Sequence, residues 1–126
     1  MAEKQNFLTP QDLLFFMFIK KGTAPEDNQI EINRGRMAGN TTCIVSLFDP
    51  EKDLILCPRS MVKYYNLSYR EFKNSVMAIN DIGYRGRNKK YRYIFVDSYS
   101  YLKETDNHEL FLKLSSLKCE FWFKLG

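Results

Sequence analysis

The stretch SMVKYYNLSYREFKNSVMAINDIGYRGRNKKYRYIFV, Ser60 to Val96, decides how this sequence is read. With Arg59 at its edge, residues 59–92 hold nine Lys or Arg against two acids, Glu71 and Asp81. That is +7 inside a chain whose formal charge is +4, so the rest sums to −3. One-signed charge concentrated in one stretch points to a polyanionic partner.

The local signals in this stretch are specific. SMVKYY predicts a short helix, and Asn66 with Leu67 predicts a tight turn, since Asn tolerates the left-handed conformation. Ser68 and Glu71 have capping-box spacing, which predicts a second helix from Ser68 to about Asp81. On it Phe72, Val76 and Ile79 form one apolar stripe, with Arg70, Lys73, Asn74 and Met77 roughly opposite. Gly83 ends that helix. YRGRNKKYRYIFV then predicts two strands around a turn over 86–90, loaded with Arg85, Arg87, Lys89, Lys90 and Arg92.

Working outward, LILC (Leu54–Cys57) predicts a short strand. TTCIVSLF (Thr41–Phe48) predicts either the first strand of a hairpin over 41–57 or a helix over 41–48, because a short apolar run does not choose between them. QIEIN (Gln29–Asn33) alternates as a strand does, whereas RGRMAGN (Arg34–Asn40) carries no clear signal. Nearer the N-terminus, Thr9, Pro10 and Asp12 predict a capped helix that Lys20, Lys21 and Gly22 close. Its LLFFMFI run is apolar on all sides, so the expectation is a helix buried all round or one forming a subunit contact. At the other end, Asp106 and Glu109 predict a helix start. Leu110, Leu114, Leu117 and Phe121 then read as a heptad-like seam, and with Trp122 they suggest docking on the chain itself or on a second copy.

A chain of 126 residues with 44% apolar and 15% aromatic content fits one domain with its own core. Seven apolar residues fall far short of the roughly 20 that a membrane-spanning helix requires. No basic region precedes that run and no cleavage site follows it, so the expected location is cytoplasmic. Cys43, Cys57 and Cys119 are odd in number and scattered, which suggests reduced thiols. With His108 as the one histidine, they make a poor zinc set. No phosphate-cradling glycine motif is present; GYRG and GRMAG do not match one. Neither a metal, a cofactor nor a catalytic role is expected.

The order of short helix, tight turn, capped helix, glycine and basic hairpin resembles the winged helix-turn-helix superfamily over 60–96. LILC would supply the additional short strand, giving a unit of about 54–97. The resemblance implies an α+β fold: a winged-helix-like domain with an N-terminal apolar helix and a C-terminal helix. It also implies DNA binding, in a small regulator or replication initiator of the kind phages and plasmids carry. Helix 68–81 would enter the major groove, where Arg70, Lys73 and Asn74 with Tyr69 and Met77 would meet the duplex. The wing would place Arg85, Arg87, Lys89, Lys90 and Arg92 on the backbone. RNA and an acidic protein are the alternative partners. The rival class is a non-enzymatic protein-interaction or inhibitor module.

Overall fold

Short apolar runs bounded by turns are how strands buried on both faces of a parallel sheet appear in sequence. LILC and YIFV are of this kind. The computed structural model describes residues 8–20, 28–33, 39–82, 89–105 and 107–126, apart from the side chains at 73, 107–109 and 111. In chain order its elements are α1 (Pro10–Lys20), β1 (Gln29–Ile32), α2 (Asn40–Leu47), β2 (Leu54–Cys57) and α3 (Arg59–Ser68). A 3-10 segment (Arg70–Ser75), β3 (Val76–Ala78) and a second 3-10 turn (Ile79–Asp81) follow. Then come β4 (Lys90–Val96), α4 (Tyr99–Thr105), α5 (Asn107–Ser115) and β5 (Lys118–Leu125).

The strands form one five-stranded sheet in the order β1-β5-β4-β2-β3, with every neighbouring pair parallel. Alternation along each strand divides the core in two. Ile55, Phe95, Phe121 and Phe123 face a layer built by α1, α2 and α3. Leu54, Leu56, Ile94 and Val96 face the other layer, built by α4, α5 and Ile79 and Ile82. The expected mixture of helices and sheet is present, as helices on both faces of one parallel sheet.

Several local expectations are corrected. Residues 68–81 are not a helix: α3 runs through Asn66 and Leu67 to Ser68, and a 3-10 segment, a strand and a 3-10 turn follow. Tertiary packing overrides the helical spacing, because Val76 enters the sheet beside Ile55 and Ile79 lies in the opposite core layer. Of the expected basic hairpin, the second strand is observed as β4, which pairs parallel with β2 and β5; the first strand and most of the turn, over 84–88, lie outside the described residues. The turn residues Arg85 and Arg87 lie outside the described residues.

Of the two readings of 41–48, the helix is observed, so there is no hairpin over 41–57. The C-terminal seam does not continue as a helix either: CEFWFKL is strand β5, with Phe121, Phe123 and Leu125 buried on one side. Leu110, Leu114, Leu117 and Phe121 are buried in the chain's own core, and Trp122 is half-buried against it. The docking on the chain itself is thus what the structure describes for these positions.

At the other end, the capping box of α1 is present, with reciprocal bonds between Thr9 and Asp12 of 3.1 and 3.2 Å. The helix is not buried all round, however: Leu13 is inside, while Phe15, Phe18 and Ile19 are exposed. Among the described residues, no helix is long and apolar enough to cross a membrane.

Candidate functional sites at the two edges of the sheet

In a wholly parallel sheet all strands start at one edge and end at the other. The amino edge collects cations from distant parts of the sequence. Lys90 and Lys118 are register partners at the starts of β4 and β5. Lys52 precedes β2, and its carbonyl accepts the Arg92 N–H at 2.9 Å. Arg70 and Asn74 lie on the 3-10 segment leading into β3, which Ser75 ties to the turn before β2 by donating to the Pro50 carbonyl at 2.6 Å. Lys52, Arg70, Asn74, Lys89, Lys90 and Lys118 are exposed. Among the described residues, no carboxylate pairs with Lys52, Arg70, Lys90 or Lys118. The exposed acids Glu51 and Glu71 are interspersed on the neighbouring segments.

Other residues expected at a DNA surface are used differently. Met77 is buried in β3, at 5% exposure. Tyr69 stacks on Phe72 with ring centres 5.3 Å apart. Arg92 is bound to Asp53, with Nε donating to Oδ1 at 3.0 Å and Nη2 to Oδ2 at 2.7 Å. Asp53 is fully buried, and it also accepts the backbone N–H groups of Tyr93 (3.1 Å) and Asp49 (2.9 Å). The hydrogen bond to Asp53, ahead of the burial that opposes it, raises the Arg92 pKa and keeps the guanidinium charged. Arg92 thus pins the turn before β2 to the start of β4.

The carboxyl edge is concave. A cavity of about 790 Å³ opens there, and its lining includes Asn40 and Thr41 at the start of α2, Ser60 and Met61 at the start of α3, and Asp97 and Ser98 after β4. Asp97 is 3% exposed. Its N–H donates to the Leu56 carbonyl at 2.8 Å, closing the seam between β2 and β4. Its Oδ2 accepts the Tyr65 hydroxyl at 2.6 Å and the Thr41 hydroxyl at 2.9 Å. Burial first, and then the Asp97 charge, push the Tyr65 phenol far above its ordinary pKa. The same two causes push the Cys57 thiol up to about 12, so both groups stay protonated at neutral pH. Ser98 adopts φ 60, the left-handed region that a non-glycine residue rarely occupies. It packs where the Gly126 backbone comes so close that a Cβ on Gly126 would lie 3.1 Å from the Ser98 Cα.

Sequence reasoning missed Asp53 and Asp97. The available signal was position: Asp53 immediately precedes the run LILC, and Asp97 immediately follows YIFV. An acid ending a strand run marks the edge at which open parallel sheets bind ligands. Among the described residues, no group of three or more His, Cys, Asp or Glu side chains is arranged to hold a metal. Compared with known proteins, the chain matches no family model, no curated sequence and no solved structure.

Proposed function

We propose that the protein binds nucleic acid, DNA in the first instance, by laying a phosphate backbone along the amino edge of the sheet. The observation that supports this reading is that Lys52, Arg70, Lys89, Lys90 and Lys118, from separate segments, share one edge with side chains turned to solvent. Cations placed to follow a row of phosphates release condensed counterions, which drives binding without reference to sequence. No helix spans 68–81 to enter a groove, so the mode proposed is backbone binding tolerant of sequence. Exposed Asn74, on the same 3-10 segment as Arg70, supplies a polar contact to sugar or base edge. The function proposed is that of a binding protein and not of an enzyme.

Fluorescence anisotropy with labelled duplex and single-stranded DNA tests this. For about four or five phosphate contacts, the log–log salt dependence on duplex should have a slope of about −4. Scrambled duplexes should bind within a few-fold of one another. Paired Lys89→Glu and Lys90→Glu substitutions should abolish most of the affinity, and paired Ala substitutions should flatten the slope by about 1 to 2. Absence of binding to any duplex or single strand at low salt would refute the reading. Retention on heparin without nucleic-acid binding would instead favour an acidic protein partner on the same edge.

A further inference from the structure

The opposite edge carries a feature that the polyanion reading leaves unused. We infer that the cavity at the carboxyl edge binds a small molecule bearing a vicinal diol, the chemistry shared by sugars and ribonucleosides, whose hydroxyls donate to Asp97. The inference is independent of nucleic-acid binding at the amino edge.

The first observation is topological. β2 leads outward to β3 through α3 on one face, while β4 leads outward to β5 through α4 and α5 on the other. The chain therefore diverges between adjacent β2 and β4, and a crevice opens outside their carboxyl ends. The cavity lies at that point, with Pro58, Ser60 and Met61 following β2 on one side and Asp97 and Ser98 following β4 on the other. Its volume of about 790 Å³ falls within the range of small-molecule sites.

The second observation is chemical. A carboxylate offers about four acceptor positions over two oxygens. Tyr65 and Thr41 both donate to Oδ2 of Asp97, which fixes the side chain and leaves acceptor capacity on Oδ1. Two hydroxyl groups on adjacent carbons are spaced to donate to one carboxylate, as ribose hydroxyls do at the ends of strands in dinucleotide-binding sheets. The surrounding Thr42, Ser60 and Ser100 hydroxyls both donate and accept, which suits a polyol. Asn40, also in the lining, keeps a buried carboxamide oxygen without a partner among the described residues. Such an atom carries a desolvation cost that a ligand donor would remove. A second carboxylate, Glu104, faces the same space and again favours donors.

The third observation is conformational. Ser98, beside Asp97 and in the lining, holds a left-handed backbone. Its hydroxyl donates to the Met61 sulfur at 3.2 Å, across the crevice from β4 to the start of α3. Non-glycine residues kept in such conformations concentrate at ligand sites, where the surrounding structure enforces them.

The test uses the intact chain and ligand-observed saturation-transfer NMR, with dissociation constants from titration. One arm offers adenosine, guanosine, cytidine and uridine against their 2′,3′-dideoxy counterparts. The other offers methyl β-ribofuranoside against its 2-deoxy form. A diol-bearing probe should bind at millimolar concentration or better, and loss of the diol should weaken it about tenfold or more. Asp97→Asn should weaken the diol probe to the level of its deoxy counterpart. The deoxy comparison on the unaltered protein decides the matter even if that variant folds poorly. Binding of nucleosides alone assigns the source to nucleosides, and equal binding of the riboside assigns it to sugars. Absence of binding by every probe, or equal binding of diol and deoxy forms, would overturn the inference.

Discussion

Among the described residues, two carboxylates are buried, and they lie at opposite ends of the same pair of neighbouring strands. Asp53 precedes β2 and holds the start of β4; Asp97 follows β4 and holds the end of β2. Asp53 accepts from a guanidinium twice and from two backbone N–H groups, with both oxygens engaged. Asp97 receives two hydroxyls on a single oxygen and borders a cavity. A buried charge whose acceptor positions are filled by the protein clamps the fold. One with acceptor capacity remaining, beside a cavity, is equipped to take a ligand.

The contrast can be broken most forcefully at the amino edge. Arg92→Met should leave Asp53 buried and without its counter-ion, at a cost of about 3–5 kcal/mol. Asp53→Asn should cost less, because the Arg92 side chain is 32% exposed and can turn to water. Urea unfolding of both variants checks the asymmetry, and the reverse order would show that Asp53 is not the fully committed partner. At the carboxyl edge, Tyr65→Phe removes one donor to a charged acceptor and should cost about 1.5–3 kcal/mol.

The thiols sharpen the comparison further. Burial pushes both Cys57 and Cys119 up to about 12, but only for Cys57 does the Asp97 charge add to the rise. Below the ordinary thiol value of 9.0 both groups are protonated whether the chain is folded or not, so pH has no leverage through them. Above it the unfolded chain loses protons that the folded chain keeps, so stability should fall as pH rises from 9.0 towards 12. Asp97→Asn should bring the Cys57 titration down and leave that of Cys119 in place. Alkylation rates followed against pH, with peptide mapping, separate the two; equal movement would show that the Asp97 charge is not what distinguishes them.

How much of this was legible in the sequence follows from which interactions are local. The Thr9–Asp12 cap, the strands at 29–32 and 54–57 and the start of α3 were readable, because their signals lie within a few residues. The expected helix over 68–81 is absent for an equally physical reason. Phe72, Val76 and Ile79 have helical spacing, yet Phe72 and Val76 pack on one face of the sheet and Ile79 on the other. That division depends on Ile55, twenty-one positions from Val76 in sequence, and no local window contains it. CEFWFKL offered the period-two signal of a strand, but Leu110, Leu114 and Leu117 just before it imposed a heptad reading. Of the amino-edge site, the cations at 70, 89 and 90 were visible as charge. Lys52 and Lys118 joined them only once the parallel register set all strand starts side by side. Asp97 was marked in the sequence only by its place after YIFV; its partners Tyr65 and Thr41 converge on it from two different helices, which no local window contains.

The smallest expected effect on stability concerns the amino-edge lysines. Lys90 is exposed and unpaired among the described residues, and Lys89, also exposed, lies over the Tyr91 ring, with Nζ 5.3 Å from its centre. Replacing each with Ala should shift unfolding by no more than about 0.5 kcal/mol, as at ordinary surface positions. The same changes should flatten the salt dependence of DNA binding, because each lysine lost is one fewer phosphate neutralised. A fold that is indifferent to these side chains, with a binding slope that tracks them, would separate the outward cations from the Arg92 clamp beside them. Should the pair instead destabilise the chain as strongly as Arg92→Met, these lysines would belong to the scaffold, and the edge would lose its claim to be a binding surface.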